Sequence, residues 1–555
     1  MGLDKHPISA TRLIRSMLQG ERNEIAVVLT YGLGVGLLSL AIPVGIQALV
    51  STVNFGSLGQ PVLFLVLAVF LGLGAAAVLR AIQVVIVEQL QKRLFGEVAL
   101  ELAYRIPRLK LDGNNETRFP VLVNRFFDVL TVQKSSATLL LEGFALALQI
   151  VLGLVLLGFY HWFLLSFAIV IVASIAVILF LLGRGAIASS VEESVQKYRV
   201  AAWLEEIAAR PILFRSNHAR EMALKKADEV VTSYIEARSS HFSIVMRQVL
   251  GSLALQAVAS SALLGIGAYL VIKSQLTLGQ LVAAEIVVTN ALASLAKFQK
   301  HLEAFYDLVA ALDKLEFLFT LPVEKTEGAE VKNLKNSVEL EIKALTYSFD
   351  SGDPLFDEMN LKIPAGAKVA ILGANSSGKT TFVDLLYGIK NAHSGAILFD
   401  GFDYRDLSLE SLRDQVGLVR EVELLPETIL DNLKAGRNEI PLEDIQEVLS
   451  RIGLLEELIE LPGGLQTKLN GDGRPLSFAQ SRRLALARSI LSKPRLLLVD
   501  ETLDDLDEKA REKALEFLIQ KSAPWTLIIT THDMNLARKC DTIISLDSLK
   551  QRRSA

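Results

Sequence analysis

The strongest chemical signal in the sequence is a glycine-rich turn between two apolar segments. It follows residues 369–372, predicted to be a buried strand, and leads into residues 381–386, predicted to begin a helix. Backbone N–H groups and the positive end of the helix dipole then point at one place, which favours an anion. The glycines let the backbone close around phosphates, Lys379 reaches the terminal phosphates, and the Thr380 hydroxyl binds Mg²⁺. The predicted nucleotide-binding residues of this turn are Gly373, Ala374, Asn375, Ser376, Ser377, Gly378, Lys379, Thr380 and Thr381.

A pair of carboxylates follows a second apolar segment. Residues 496–499 have the pattern of a buried strand, and Asp500 and Glu501 come directly after it. Asp500 is a predicted Mg²⁺ ligand, through water, as phosphoryl-transfer sites require. Glu501 is the predicted general base that polarises the attacking water. The alternative is a pair of acids that caps a helix, which is common for one such motif alone.

Three further positions support a phosphate site. His532 ends the apolar strand predicted at 527–531, where it can contact the γ-phosphate, although a lone histidine is more often structural. Ser477 and Gln480 begin a helical pattern, and the Ser477 hydroxyl either only caps that helix or also binds a phosphate. Phe349 either stacks on a base or belongs to a strand core, and the residues alone leave this open.

Composition sets the frame for these motifs. A chain of 555 residues is too long for one core, so we expect at least two domains. The net charge of −4 gives no argument for nucleic acid as a partner. Cys540 is the only cysteine, which excludes an intrachain disulfide and a cysteine metal cluster.

The first half of the chain has the pattern of a membrane protein. Hydrophobic residues make up 51% of the chain, and they concentrate in uncharged stretches long enough to cross a bilayer. These stretches predict six transmembrane helices, because lipid-facing backbone must satisfy its own hydrogen bonds. They are residues 25–50, 61–79, 138–160, 162–182, 249–272 and 278–296.

The distribution of basic residues predicts the orientation. The links after the first and third spans contain no lysine or arginine, whereas the segments before span one, between spans two and three, and between spans four and five are rich in both. The positive-inside rule therefore predicts that both termini are cytoplasmic. The two long cytoplasmic connections have helical patterns with breaks at 108–113 and 209–211, where a short element could contact a cytoplasmic domain.

The second half alternates strand and helix signals, which predicts an α/β domain. Residues 338–342 alternate as an edge strand does. The predicted organisation is a cytoplasmic segment at 1–24, a transmembrane domain at 25–310, a linker at 311–337 and an ATP-binding domain at 338–555.

These motifs, in this order, resemble those of the ATP-binding cassette (ABC) transporters. Residues 373–380 resemble the Walker A motif, 496–500 the Walker B motif followed by catalytic Glu501, and 476–480 the signature motif. Residues 503–507 resemble the D-loop and His532 the switch histidine, while Phe349 resembles the aromatic that stacks on adenine. Six spans before the cassette are similar to an exporter half-transporter. The resemblance implies a six-helix membrane domain fused to a C-terminal α/β P-loop NTPase domain.

The resemblance also implies how the chain works. Two cassettes pair head to tail, so that the signature motif of one covers the ATP and Mg²⁺ of the other. A half-transporter must therefore pair with a copy of itself or with a different half. The expected activity is ATP-driven export of a substrate across the cell membrane, which is the inner or plasma membrane. Hydrophobic or amphipathic cargo, such as a lipid, peptide or drug, is favoured because few charges line the spans.

The sequence departs from the family pattern at two places. The signature motif usually has two glycines where this chain has Phe478 and Ala479, and a phenylalanine crowds a phosphate that glycine lets approach. In the loop that usually carries a Mg²⁺-contacting glutamine, Glu421 occupies that place, or Arg420 if there is a small gap. Glu421 could offer an oxygen to Mg²⁺, and Arg420 could not. These departures motivate two alternatives, a nucleotide-binding membrane switch with little hydrolysis and one half of a heterodimeric exporter.

Overall fold

The computed structural model describes residues 22–54, 59–110, 124–325, 327–331, 337–349, 352, 354–420 and 422–546. The chain divides into two compact units, which are considered separately below. The membrane unit comprises residues 1–107 and 116–321, and the cassette unit comprises residues 108–115 and 322–555. The last helix of the membrane unit reaches Thr320, so residues 311–320 of the predicted linker are helical.

The described part of the membrane unit consists of helices. The six predicted spans are helical apart from a turn at Leu40 in the first, with π-helical turns at Leu139–Gly143 and Val177–Leu182. The helices are α1 Arg22–Ser39, α2 Ala41–Asn54, α3 Gly59–Arg105, α4 Asp128–Thr138, α5 Phe144–Tyr160, α6 Trp162–Ala176, α7 Ala186–Ala209, α8 Asn217–Ile272 and α9 Leu278–Thr320.

Several of these helices satisfy the requirements of a membrane span by length and composition. Within the described residues, four segments are long and apolar enough, and a shorter apolar stretch is Leu278–Thr289. The four are Arg22–Thr52, Val62–Arg108, Trp162–Leu182 and Asn217–Ile272. Little of each apolar segment is buried inside the protein, so the apolar faces of these helices suit contact with lipid. The prediction of a multi-pass membrane protein is confirmed.

Local sequence explains where the helices turn. His161 separates α5 from α6, and its Nδ1 accepts a hydrogen bond from the Phe163 N–H at 3.2 Å, which caps α6. Thr277 and Gln280 form a capping box at the start of α9. The predicted break at 209–211 is present, since α7 ends at Ala209 and α8 begins after Ser216. Of the predicted break at 108–113, residues 111–113 lie outside the described residues.

An ion pair is buried where α4, α7 and α9 pack together. Asp128 lies 3.7 Å from Lys314 Nζ and accepts a 2.8 Å hydrogen bond from the Tyr198 hydroxyl. Lys314 also donates to the Ser194 hydroxyl. Burial lowers the pKa of Lys314 to about 8, although the Asp128 charge opposes that shift. These polar groups lie beside an apolar cluster that includes Val129 and Leu315.

The cassette unit has two sheets. A four-stranded antiparallel sheet has the order β2-β1-β4-β5, and a five-stranded parallel sheet has the order β6-β7-β8-β3-β9. The strands are β1 Leu340–Ser348, β2 Pro354–Ile363, β3 Lys368–Leu372, β4 Ser394–Phe399, β5 Phe402–Asp403, β6 Val416–Val419, β7 Leu496–Asp500, β8 Thr526–Thr531 and β9 Thr542–Ser545.

The prediction of an edge strand at residues 338–342 is wrong. Strand β1 lies between β2 and β4, so both of its edges are paired. Its alternation has another cause. Leu340 and Ile342 are buried in the core between the sheet and α10, while Glu341 between them lies on the other face of the strand. One solvated face gives the same pattern in an inner antiparallel strand as in an edge strand.

Helices cover the parallel sheet. Its strands are continuous apolar runs because both faces are buried, as the burial of every residue of β7 and β8 shows. The helices are α10 Lys379–Leu386, α11 Leu409–Arg413, α12 Ile429–Lys434, α13 Leu442–Arg451, α14 Leu455–Ile459, α15 Phe478–Leu491, α16 Glu508–Leu518 and α17 Met534–Ala537.

Candidate nucleotide site

The glycine-rich turn connects β3 to α10, as the sequence predicts. Strand β3 ends at Leu372, and α10 begins at Lys379 after Gly378, whose φ of 101° is left-handed. Gly378 allows this conformation without a Cβ clash. A Cβ at Gly373 would collide with the Ser377 hydroxyl. The turn therefore needs glycine at both positions, and it directs the first N–H groups of α10 at the space it encloses.

Lys379 closes the turn upon itself. Its buried ammonium donates to the carbonyl oxygens of Gly373 at 2.7 Å and Ala374 at 2.9 Å. It also lies 3.0 Å from Oε1 of Glu501. Lys379 thus connects the turn to the carboxylate pair after β7. A nucleotide phosphate would offer the ammonium a stronger charged partner than the two carbonyls.

One side chain in the turn fits a phosphate directly. Ser377 is buried, and within the described part of the chain its hydroxyl oxygen has no hydrogen-bond partner. A buried hydroxyl without a partner is unfavourable by itself. A phosphate oxygen would supply that partner, so the residues present fit a nucleotide.

Asp500 is the last residue of β7 and is buried. Its Oδ1 accepts a 2.6 Å hydrogen bond from the Thr530 hydroxyl on the neighbouring strand β8. Its Oδ2 accepts a 2.8 Å hydrogen bond from Nε of Arg420. Asp500 and the Thr380 hydroxyl in the first turn of α10 are hard oxygen donors of the kind Mg²⁺ prefers. In the described ranges, no group of three or more His, Cys, Asp or Glu side chains is placed so that it could hold a metal ion.

Arg420 follows β6 directly and lies at this carboxylate. Besides Asp500, its guanidinium donates to Asp384 Oδ1 of α10 at 2.7 Å and to the Thr380 carbonyl at 3.3 Å. Burial alone would lower the pKa of Arg420, but pairing with Asp384 and Asp500 leaves it above the ordinary arginine value. The sequence left open whether Glu421 or Arg420 holds the place of the family's glutamine, and the structure shows that Arg420 contacts Asp500. Glu421 lies outside the described residues.

Glu501 has an uncommon backbone. Its φ of 51° is left-handed, and its N–H lies 3.0 Å from the Thr530 hydroxyl oxygen and 3.2 Å from the Thr530 carbonyl oxygen. Left-handed backbone at a non-glycine residue is held by its surroundings and is frequent at functional sites. Here it turns the Glu501 side chain away from the strand direction and toward Lys379.

His532 follows β8 and is held by Asp504. Asp504 Oδ2 lies 2.8 Å from His532 Nδ1 and 3.2 Å from the His532 N–H, while its Oδ1 accepts from the Thr531 hydroxyl at 2.6 Å. Asp504 is buried and the imidazole is exposed. Residue-level reasoning did not identify Asp504 as a partner of His532. The acids at 504, 505 and 507 were visible, but nothing local shows which one faces the histidine.

Ser477 and Gln480 make contacts of a different kind. They form a capping box at the start of α15, and the Gln480 amide also donates to Glu457 at 2.9 Å. Phe478 is exposed, with the Arg482 guanidinium 4.5 Å from its ring centre. The contacts that the structure gives Ser477 and Gln480 are thus within α15 and with α14. Capping is present, whereas phosphate binding by Ser477 stays a prediction.

Phe349 is exposed on the end of β1. Its ring meets Tyr347 edge-on at 5.3 Å between centroids, and Lys390 Nζ lies 5.0 Å from its centre. Lys390 also pairs with Asp384 of α10 at 3.1 Å, which connects Phe349 to the helix of the phosphate turn. An exposed ring beside this helix can stack on a base. The strand-core alternative does not fit its exposure.

Comparisons with known proteins agree with this geometry. Residues 356–504 match the family model described as ABC transporter. A segment of 278 residues, 49% of this chain, is 31% identical to an ATP-dependent lipid A-core flippase of Methylococcus capsulatus and covers 46% of that protein. A segment of 326 residues, 58% of this chain, is 27% identical to the alpha-hemolysin translocation ATP-binding protein HlyB of Escherichia coli and also covers 46% of it.

A solved structure extends the likeness to the whole chain. The structure of a bacterial Atm1-family ABC exporter with ATP bound has a TM-score of 0.79 to this chain, at 19% identity. The superposition covers 96% of this chain and 97% of that one. By contrast, the matched segments span less than half the length of the two curated relatives. The predicted fold class and the predicted resemblance are confirmed.

Proposed function

We propose that the chain is an ABC transporter with the half-transporter arrangement of an ABC exporter, and that it uses ATP hydrolysis to export a substrate across a membrane. The observation that carries this proposal is the convergence of Lys379, Asp500 and Glu501 at the carboxyl ends of β3 and β7, two strands of one parallel sheet. In open parallel sheets ligands bind at this edge. A pair of acids with a purely structural role would not require a buried lysine beside it. It would also not require the buried Ser377 hydroxyl, which has no partner in the described part of the chain.

The chain's own residues suggest the order of events. ATP would draw the Lys379 ammonium from the Gly373 and Ala374 carbonyls onto its phosphates, since a charge-assisted bond is stronger than a neutral one. Lys379 would then leave Glu501, which would be free to accept a proton from water. His532, held by Asp504, would contact the γ-phosphate. Glu501 is thus proposed as the general base and His532 as its neighbour at the phosphate.

The Mg²⁺ of the substrate complex would be held by Thr380 and Asp500. Bound there, it would neutralise charge that develops on the phosphate oxygens. Phe349 would stack on the adenine, and residues 373–381 would bind the phosphates through their N–H groups and side chains. These proposed roles in metal, adenine and phosphate binding are supported by the phosphate turn at the start of α10 and by the contact of Phe349 with Lys390.

A pair of half-transporters is the proposed working unit. The exposed start of α15, with Ser477, Phe478 and Gln480, would cover the nucleotide of the partner copy. Its N–H groups and capping hydroxyl suit a phosphate. Whether the partner is a second copy or a different half is left to the experiment, and both arrangements would place two nucleotides between two cassettes.

The substrate class and the membrane are further parts of the proposal. The printed names of two relatives describe a lipid flippase and a protein translocator, which favours hydrophobic or amphipathic cargo such as a lipid, a peptide or a drug. The proposed location is the inner or plasma membrane. Both termini are proposed to be cytoplasmic, because lysine and arginine are concentrated before span one, between spans two and three, and between spans four and five.

Two alternatives have specific support. The Arg420 guanidinium is hydrogen-bonded to Asp500, the carboxylate proposed to bind the metal. The exposed Phe478 takes the place of a glycine in the family's signature motif. Both features favour a nucleotide-binding switch that scarcely hydrolyses ATP. They also favour a half that hydrolyses only beside a partner with an intact signature motif.

The decisive test is ATP turnover by the purified chain in lipid nanodiscs, with Glu501→Gln as the matched variant. We expect steady turnover that Glu501→Gln abolishes while ATP binding persists, because only the general base is changed. Turnover of the wild-type chain that equals that of Glu501→Gln, with tight ATP binding in both, would reject the active exporter in favour of the switch. Co-purification of a second cassette chain would favour the heterodimer.

A further inference from the structure

The guanidinium of Arg420 occupies the position at Asp500 where a cation is needed. Its Nε lies 2.8 Å from Asp500 Oδ2, and the other oxygen of that carboxylate is held by Thr530 at 2.6 Å. Both oxygens of Asp500 are therefore engaged by protein donors. A metal that binds Asp500 on this side must displace Arg420 from Oδ2.

Arg420 also neutralises a second buried acid. It donates to Asp384 Oδ1 at 2.7 Å, and the Asp384 and Asp500 side chains are both almost wholly buried. Lys390 is the other cation at Asp384, 3.1 Å from its Oδ2. Without Arg420, the described residues would leave Asp500 a buried carboxylate whose side chain is held by a neutral hydroxyl, next to a site for anionic phosphates.

We propose that Arg420 and Mg²⁺ compete for the Asp500 carboxylate, so that Arg420 serves as a tethered cation in the metal-free site. The proposal rests on nucleotide binding at the phosphate turn, as set out above. Arginine has no lone pair to offer a metal and keeps its charge at every working pH. It can therefore act only as a rival of the metal, unlike a glutamine or glutamate in the same loop.

The proposal has two consequences for binding affinity: Arg420 strengthens the binding of metal-free ATP, and it weakens the binding of the metal. With Arg420 at Asp500, the carboxylate is neutralised, so the phosphates of metal-free ATP meet less repulsion. When Mg²⁺ is present, the Arg420 hydrogen bond must be broken before Asp500 can contribute to metal binding, which weakens the metal. A residue that merely holds the loop after β6 would change both affinities in the same direction.

The experiment uses the full-length chain in nanodiscs with Arg420→Gln, which removes the charge and keeps polar donors. Binding of a fluorescent ATP analogue is measured in EDTA, and Mn²⁺ binding is measured by electron paramagnetic resonance with a non-hydrolysable ATP analogue present. We expect Arg420→Gln to bind Mn²⁺ about tenfold more tightly, because a hydrogen bond to a charged group no longer competes. Arg420→Lys adds no ligand oxygen, so it separates lost competition from metal binding by the new amide oxygen. In EDTA we expect Arg420→Gln to bind the ATP analogue more weakly than the wild type does.

Two further variants guard the result. Arg420→Lys keeps the charge but loses the fork that spans two carboxylates, so its Mn²⁺ affinity should lie between wild type and Arg420→Gln. Arg405→Gln breaks an exposed pair with Asp403 in the same unit and should change neither affinity. If Arg420→Gln misfolds, an Arg420→Lys Mn²⁺ affinity no higher than that of the wild type overturns the proposal.

The outcomes separate this proposal from the proposed function. If both affinities of Arg420→Gln fall together, or neither changes, Arg420 is a structural residue and the competition is overturned. Wild-type ATP binding stays intact in that case, and the exporter proposal stands. A wild-type chain that binds no ATP analogue, with Mn²⁺ or in EDTA, contradicts the proposed function and this proposal together.

Discussion

Asp504 lies 2.8 Å from Nδ1 of His532, so a buried carboxylate orients an exposed imidazole. The contact favours a proton on Nδ1, so Nε2 is the ring nitrogen that does not face Asp504. Asp504 belongs to the loop after β7 and His532 follows β8. Two adjacent strands thus jointly determine where the ring points.

Asp504→Asn should lower ATP turnover while leaving ATP affinity nearly unchanged. The amide can no longer fix the Nδ1–H tautomer as the carboxylate does, and loss of such an orienting partner typically lowers activity about ten- to a hundredfold. Turnover and fluorescent-ATP affinity are measured on the same preparation. Asp406→Asn, at an exposed acid of the same unit, is the control and should be silent. A drop in affinity equal to the drop in turnover would show that Asp504 supports the fold rather than the histidine.

Phe478→Gly with Ala479→Gly should raise ATP turnover. The exposed phenylalanine crowds the start of α15, where N–H groups would otherwise approach the partner's nucleotide. A recovered N–H donor at a transferring phosphate corresponds to about a tenfold or greater gain. Turnover in nanodiscs is the measurement, with Ala479→Gly alone as the control for lost helix propensity. Unchanged or slower turnover in the double variant would show that Phe478 is not the obstacle.

Phe349→Ala should weaken ATP binding by about fivefold or more, since stacking of a base on an aromatic ring contributes about 1–3 kcal/mol. Phe349→Trp should preserve the affinity because it retains the ring. Phe402 is a similarly exposed aromatic of the same unit, and Phe402→Ala is the matched control. An equal loss in both alanine variants would assign no base-stacking role to Phe349.

Asp128→Asn should destabilise the membrane unit strongly. Lys314 would lose its buried acid, and breaking a buried pair on one side typically costs about 3–5 kcal/mol. The combined variant Asp128→Asn with Lys314→Met should recover much of the loss, because no unpaired charge remains. Thermal unfolding in detergent measures both. A double variant no more stable than Asp128→Asn alone would contradict the assignment of the energy to the charge pair.

The same pair predicts a pH dependence. The folded chain holds Lys314 with a pKa of about 8, below the ordinary lysine value, because burial disfavours its charged form. Between these two values the unfolded chain binds more protons, so the Lys314 contribution to stability rises with pH. The variant that lacks Lys314 should lose that rise relative to wild type.

Sequence reasoning succeeded where the signal is local. The strand before Gly373, the helix after Gly378 and the strand that ends at Asp500 all occur as predicted, because short apolar runs and glycines determine them within a few residues. The six apolar stretches predicted as spans are also helical, with a turn at Leu40 in the first. Length and absence of charge suffice for that prediction.

Contacts between distant segments could not be predicted. Arg420 and Asp500 come from adjacent strands, and their pairing depends on the path of the loop after β6. Likewise, Asp128 and Lys314 belong to separate helices, and no local pattern reports their meeting. The inner position of β1 was missed because alternation reports one solvated face and not the pairing of the strand's edges.

The central claim is that the phosphate turn binds ATP through Lys379. Equilibrium binding of ATP to the purified full-length chain and to Lys379→Ala in nanodiscs with Mg²⁺ tests it most directly. The account predicts saturable binding by the wild type and a loss of about tenfold or more in Lys379→Ala, because a charge-assisted contact to phosphate is removed. Absence of ATP binding by the wild type, or equal affinity of the two proteins, would contradict it.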